Sequence, residues 1–129
     1  MIKTREQEYA AKIYDQVEKV KGKGFQGDYK TAAKNLAFLI RSAGLVQALY
    51  FTESRNDGSK NLIQHLKDTL KNQSLLDDAR NKPINEYMFL TEKCLLALKW
   101  YKRFVDIHIN DKDERNSSKS EVEKDDNET

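Results

Sequence analysis

The apolar run Leu36–Phe51, which reads LAFLIRSAGLVQALYF, constrains the fold more than any other stretch. Twelve of its sixteen residues are apolar, and they do not alternate with polar ones, which favours a helix over a strand. The run is too short to cross a bilayer and carries an arginine near its centre. A helix that is apolar nearly all round must be surrounded by other helices. The run therefore predicts the central helix of a bundle, over about residues 29–53.

Two features of this central helix need a reason of their own. Ala43 and Gly44 remove side-chain bulk at its middle, which predicts that a neighbouring backbone packs closely there. Arg41 lies in an otherwise apolar stretch, and an unpaired buried charge is strongly unfavourable. We therefore expect Arg41 to meet either an acidic side chain of the bundle or an anion from outside.

Apolar residues at helical spacing predict further helices around the central one. Thr4 and Gln7 have the spacing of a capping box at the start of the first helix. Ser59 is placed to cap a later helix, and Pro83 marks the start of the last one. These helices cover about residues 4–20, 59–71, 75–80 and 84–107, and Phe89 is expected to add to the core face of the last one. The predicted fold class is all-α, a single compact bundle of about five to six helices around the central helix.

Charge divides the chain into two parts. Residues 1–109 hold 19 Lys and Arg against 13 Asp and Glu, a net charge of +6, whereas residues 110–129 hold 4 against 8, a net charge of −4. Only one of the last twenty residues, Val122, is apolar, so they cannot form a core. We expect a helical bundle domain over residues 1–109 and a disordered acidic tail over residues 110–129. A basic body suggests a polyanionic partner.

Few residues in the sequence could form a disulfide, a metal site or a nucleotide-binding loop. The single cysteine, Cys94, excludes an internal disulfide. The N-terminus lacks the apolar run of a secretory signal. We therefore expect a cytoplasmic protein. His65 has no second ligand at metal spacing, and no metal or other cofactor is predicted. Residues 22–27 match the glycine pattern of dinucleotide-binding loops, but a helix precedes them and no strand does. The pattern is better explained as a loop between helices.

Basic residues recur at helical spacing and are the candidate binding residues. Arg5, Lys12 and Lys19 are seven residues apart and form a stripe beside the apolar face of the first helix. Lys34 and Arg41 have the same spacing on the central helix. Lysine and arginine side chains bind nucleic-acid backbones without reading bases. The five residues therefore predict an RNA-binding surface, and a solvated helix face is the alternative.

Three segments together resemble a known family: TREQEYAAKIYDQV (4–17), YKTAAKNLAFLIRSAGLVQALYF (29–51) and EYMFLTEKCLLALKWYKRFVDI (86–107). Their order, spacing and IRSAGLVQAL core are similar to the small subunit of the type III-B CRISPR (Cmr) RNA-guided effector complex. The resemblance covers most of residues 4–107 and implies a helical protein without enzymatic activity. It implies a minor filament of several copies that helps bind target RNA along the guide. The implied partners are the large polymerase-like subunit, the backbone subunits, copies of itself, and guide and target RNA.

Two other functions stay open. A free-standing helical protein-interaction adaptor would also be a bundle, but it would leave the basic stripe unused. Arg103 and His108 have the R-x4-H spacing of the HEPN ribonucleases, which are helical as well. Those enzymes usually carry a polar residue after the arginine, where this chain has Phe104. No other constellation in the sequence suggests catalysis, and no catalytic residue is predicted.

Overall fold

The computed structural model describes residues 2–109, which form six helices and no strand. The helices are α1 (Arg5–Val20), α2 (Gln26–Ala43), α3 (Leu45–Glu53), α4 (Asp57–Leu70), α5 (Leu75–Asn81) and α6 (Ile84–His108). One apolar core draws on all six helices. The predicted all-α bundle is therefore confirmed. The acidic tail predicted for residues 110–129 lies outside the described residues.

The capping box predicted at the start of α1 is present. The Thr4 hydroxyl accepts a hydrogen bond from the Gln7 backbone at 3.0 Å, and the Gln7 side chain accepts one from the Thr4 backbone at 2.9 Å. This exchange satisfies two backbone donors that the helix itself leaves unpaired. The apolar face that follows is buried: it consists of Tyr9, Ile13, Val17 and Val20.

The prediction of one continuous central helix is wrong, because the chain breaks at Gly44 into α2 and α3. Gly44 has φ +90° and ψ 157°, a region that is essentially restricted to glycine. Its backbone N–H still bonds to the Ile40 carbonyl, while the N–H of Leu45 donates to the Tyr87 hydroxyl at 3.0 Å. The glycine is thus needed for the break between α2 and α3, rather than for close packing within one helix.

Replacing Gly44 with alanine should lower the free energy of unfolding by about 1–3 kcal/mol, the cost of a residue held in such a conformation. Space is not the limiting factor, since an added Cβ would lie 3.6 Å from the Tyr87 hydroxyl. Urea denaturation of the two proteins measures the difference. Ser42→Ala, on the exposed side of α2, is the control and should be close to neutral. Equal loss in both variants would contradict the backbone explanation.

The later helices begin close to where the sequence predicts them. α6 starts directly after Pro83, as expected. The start of α4 differs, because Asn56 caps it by accepting a hydrogen bond from the Ser59 backbone at 2.8 Å. Ser59 itself is buried inside the first turn, so its predicted capping role is wrong. Both residues are good caps, and only the observed dihedral angles distinguish them.

Side-chain contacts set the directions of α1, α4 and α6. Glu6 at the start of α1 bonds to Lys99 and Trp100 of α6 at 2.6 and 2.8 Å, and Tyr14 further along α1 packs on His108, so the two helices run parallel. A buried polar cluster of Gln16, Thr69 and Tyr101 joins them to α4. The Gln16 amide nitrogen also donates to the His65 carbonyl at 3.0 Å, so the cluster fixes how the three helices meet without leaving its polar atoms unpaired.

A buried lysine holds the end of the last helix. The Lys30 ammonium donates to the carbonyl of Ile109 at 2.6 Å and lies 3.9 Å from the carboxylate of Asp106. Carbonyls at a helix C-terminus lack partners within the helix and carry partial negative charge, so a cation there is favourable. This contact places the C-terminal end of α6 firmly against α2.

His65 lies partly buried on α4, where its Nδ1 is 2.7 Å from the Tyr29 hydroxyl. Burial lowers the pKa of His65; the charges of Lys19 and Lys12 lower it further, and Asp68 opposes them. The imidazole has no metal-binding partner set: residues 2–109 contain no group of three His, Cys, Asp or Glu residues that is arranged to hold a metal. Its structural role is the hydrogen bond to Tyr29.

The lowered pKa of His65 predicts that stability falls as the pH is lowered. Below about pH 6.5 an unfolded histidine takes up a proton, while the folded one resists, so unfolding becomes more favourable until the folded ring is protonated too. We expect the free energy of unfolding to decline from pH 7.5 towards pH 5, as measured by urea denaturation. The decline should be smaller in His65→Gln. Parallel curves for the two proteins would show that other groups cause it.

No helix within residues 2–109 is both long enough and apolar enough to cross a membrane.

Candidate nucleic-acid interface

The three predicted cations of α1 lie in solvent. Arg5, Lys12 and Lys19 are all exposed, while Ile13 and Val17 on the adjoining side of the helix are fully buried. Residues seven apart on an α-helix are separated by about two turns, so their side chains point in nearly the same direction. The amphipathic pattern of α1 therefore produces the stripe that the sequence predicts. Its contact with RNA stays a prediction.

A groove of about 630 Å³ lies where the first half of α1 meets the end of α4 and the middle of α6. We call it the basic groove. Its cations are Lys3, Arg5, Lys12, Lys71 and Lys93, and its carboxylates are Glu8 and Asp68. Convergence of five positive side chains against two negative ones gives the groove a positive potential, which attracts polyanions.

The structure adds three cations that sequence reasoning missed. Lys3 precedes α1, Lys71 ends α4, and Lys93 lies within α6, so the three come from separate segments. Lys71 adopts a left-handed conformation with φ 57° and ψ 44°, and its N–H closes the last turn of α4. The sequence offers a weak signal for that helix end and none that would place Lys93 on the same groove as Lys12.

Only two of the five predicted residues, Arg5 and Lys12, line the basic groove. Lys19 continues the stripe along α1, close enough to His65 to affect its pKa. Lys34 lies on α2 and forms an ion pair with Asp106 of α6 at 3.1 Å. This pairing partly neutralises Lys34.

Arg41 lies in the last turn of α2 and is exposed. No ion pair within residues 2–109 joins Arg41 to an acidic side chain, so of the two expected partners the external anion stays open. A cation near a helix C-terminus is favoured by the partial negative charge there. Arg41 remains available to an external anion, while the structure does not bring it into the basic groove.

An exposed aromatic ring lies beside the groove. Phe89, which the sequence assigns to the core of α6, is 47% exposed. The Arg5 guanidinium lies 5.1 Å and the Lys93 ammonium 5.0 Å from the centre of its ring. Both distances fall within the range of cation–π attraction. Phe89 therefore helps to hold two of the groove cations in position.

The arrangement of Arg103 and His108 gives no support to a ribonuclease site. Five residues along a continuous α-helix correspond to a rotation of about 140°, so the two side chains diverge. Arg103 is exposed, whereas the Nε2 atom of His108 is buried and His108 packs edge-on against Tyr14. Within one chain, the pair does not converge on a common point.

Cys94 is fully buried in the core. Burial raises the pKa of its thiol to about 12, although the charge of Lys93 acts in the opposite direction. A thiol in this state has almost no thiolate at neutral pH, and the thiolate is the nucleophile. Cys94 is therefore a packing residue.

Residues 2–109 thus define a class of protein: a small all-α bundle of six helices with a basic groove on one side. A family model described as "CRISPR-associated protein (Cas_Cmr5)" matches residues 5–108. The chain belongs to this Cmr5 family. The match confirms the family that the three segments predict.

Two relatives from Thermus thermophilus agree with this assignment. The protein named "CRISPR system Cmr subunit Cmr5" is 37% identical over 115 residues, which covers 85% of this chain and 100% of the relative. A crystal structure of a CRISPR-associated Cmr5 family protein superimposes with a TM-score of 0.81 at 35% identity, covering 84% of this chain and 100% of that one. The six-helix bundle is therefore similar to an experimentally determined fold.

Proposed function

We propose that this chain is the small subunit of a type III-B CRISPR (Cmr) RNA-guided effector complex. The observation that carries the proposal is the family match over residues 5–108, which takes in the whole helical bundle. The Thermus relative is named as a Cmr subunit. In this role the chain has no catalytic residue of its own and acts in the cytoplasm.

Its partners in this proposal are the large polymerase-like subunit, the backbone subunits that hold the guide RNA, and further copies of itself. The copies form a minor filament that helps bind target RNA along the guide. The filament needs no base-reading side chains, because guide pairing supplies sequence specificity. A groove with five cations supports contact with the phosphate backbone.

The proposed RNA contacts fall into two groups. Arg5, Lys12 and Lys19 lie along α1, and the first two share the basic groove with Lys3, Lys71 and Lys93. Lys34 and Arg41 lie on α2 and form a second, weaker candidate, since Asp106 already pairs with Lys34. Binding by either group would depend on salt, because phosphate contacts release counterions.

The assembly is tested by purifying the tagged chain from its native host and identifying co-purifying proteins by mass spectrometry and bound RNA by sequencing. We expect the other Cmr subunits together with guide RNA. A ribonuclease-treated sample separates protein contacts from those that RNA bridges. Recovery of the chain alone, or with unrelated proteins, would refute the proposal.

A further inference from the structure

The last twenty residues carry the opposite charge to the basic groove. Residues 110–129 hold eight acidic and four basic residues, and five of the acidic ones fall within residues 121–128, which read EVEKDDNE. This stretch contains a single lysine. In charge it resembles a short polyanion, the class of ligand that the basic groove attracts.

These residues are an addition to the helical unit of the family. The family match ends at residue 108, and the Thermus relative is matched over its full length while 85% of this chain is covered. The shared bundle therefore does not require them. Any role of these residues is therefore specific to this chain, through contacts with its own bundle or with its partners.

The acidic stretch is long enough to reach the basic groove. Lys93 lies sixteen residues before Ile109 on the same helix, and at 1.5 Å per residue this is about 24 Å. The twelve residues from Ile109 to Glu121 can span up to about 40 Å. The starting point is fixed, because Lys30 holds the carbonyl of Ile109 at 2.6 Å. The residues between Ile109 and Glu121 are therefore long enough for the acidic stretch to reach the groove.

Several other cations of the bundle are already paired. Lys34 is paired with Asp106, Lys67 with Glu53, Lys82 with Glu86, and Lys99 with Glu6. Within residues 2–109, by contrast, no carboxylate forms an ion pair with Lys3, Lys12 or Lys71 in the groove. The groove thus gathers three lysine charges that no ion pair in the described part of the molecule offsets.

We propose that the acidic segment 110–129 binds in the basic groove of its own chain and occupies it until RNA displaces it. A segment tethered to its site has an effective concentration of about 1 mM, so weak charge contacts are sufficient for binding. Such contacts are screened by salt. The groove is thereby shielded from unrelated polyanions, whereas a long RNA held along an assembled complex displaces the segment. Only this last step rests on the proposed function.

Paramagnetic NMR on the full chain tests the docking without any RNA. A nitroxide is attached to the new thiol of a Ser120→Cys variant, and Cys94 stays unlabelled because it is fully buried. At low salt we expect broadening of the backbone amides of Arg5, Lys12, Lys71 and Lys93. The broadening should disappear at about 0.5 M salt, where charge contacts are strongly screened. It should also disappear when the eight acidic residues of the segment are replaced by Asn and Gln.

Two controls make the result decisive. The groove variant Lys3→Gln, Lys12→Gln, Lys71→Gln should lose the broadening, and the matched variant Lys60→Gln, Lys102→Gln, Arg103→Gln should retain it, because those three are exposed outside the groove. Broadening that is absent, or that lies on another surface, would overturn the proposal. Broadening seen only between labelled and unlabelled molecules in a mixture would assign the contact to a second copy and overturn it too.

A binding measurement then tests the competition. The variant with a neutral segment should bind single-stranded RNA about 10-fold more tightly than the natural sequence at low salt, because the tethered competitor is lost. In the groove variant the two forms of the segment should bind RNA equally. If neither form binds RNA while the NMR result is positive, the RNA contact proposed for the groove fails and the docking stands. If RNA binds and the segment makes no difference, the competition is refuted.

Discussion

Replacing Gly58 with alanine should lower the free energy of unfolding by about 2–3 kcal/mol, in the upper part of the range for overpacked sites. Gly58 lies in the first turn of α4, where helix propensity alone would favour alanine by about 1 kcal/mol. Packing opposes this. An added Cβ would lie 2.5 Å from the Tyr29 nitrogen and 2.8 Å from the carbonyl carbon of Asp28. These are backbone atoms of α2, so the two helices must move apart.

Urea denaturation of the purified proteins measures this effect. Gly24→Ala is the matched control, because a Cβ at Gly24 would meet no atom within 4 Å. We expect the control to remain within about 0.5 kcal/mol of the natural sequence, as is usual for open surface sites. A Gly58→Ala protein as stable as the control would mean that α4 shifts on α2 without cost. That result would contradict the close approach of the two helices.

Neutralising the basic groove should weaken target-RNA binding by about 10- to 100-fold at moderate salt. The variant carries Lys3→Gln, Lys12→Gln and Lys71→Gln, which removes three groove cations and leaves Arg5 and Lys93 on Phe89. Each lost phosphate contact on a single strand should also reduce the slope of log affinity against log salt by about 0.7. The measurement is made on effector complexes assembled with guide RNA.

Two further variants show whether position or total charge matters. Lys60→Gln, Lys102→Gln, Arg103→Gln removes the same charge from exposed positions outside the groove and should leave affinity nearly unchanged. Lys34→Gln with Arg41→Gln tests the second group on α2, where we expect a smaller loss because Lys34 is paired. Equal losses in the groove variant and the matched variant would show that the groove is not the contact. An unchanged salt slope in the groove variant would show the same.

Much of the local structure follows from the sequence. The capping box of Thr4 and Gln7, the buried face of α1 and the start of α6 after Pro83 all appear as predicted. These features depend on residues three to seven positions apart, which local helix geometry places together. The family also follows from the sequence. The first of the three matching segments lies in α1, the second spans α2 and α3, and the third lies in α6.

Apart from the cap of α4, which lies at Asn56 instead of Ser59, the wrong predictions concern residues whose state depends on distant parts of the chain. Gly44 is compatible with a helix interior as well as a break, and the break is stabilised by the Tyr87 hydroxyl of α6. Phe89 has the spacing of a core residue, but the other helices leave nearly half of it in solvent. The spacing of apolar residues within one helix shows which residues share a face, but not whether another helix covers that face.

By itself, the sequence determined the helical class, the buried apolar face of α1 and the exposed stripe of Arg5, Lys12 and Lys19. These depend on spacing along single helices. Only the tertiary structure decided that Lys3, Lys71 and Lys93 join Arg5 and Lys12 around one groove while Lys34 and Arg41 do not. That grouping is set by how α1, α4 and α6 pack, through contacts such as the cluster of Gln16, Thr69 and Tyr101. The partners in that cluster lie 53 and 85 residues apart in the chain, beyond the reach of any local pattern.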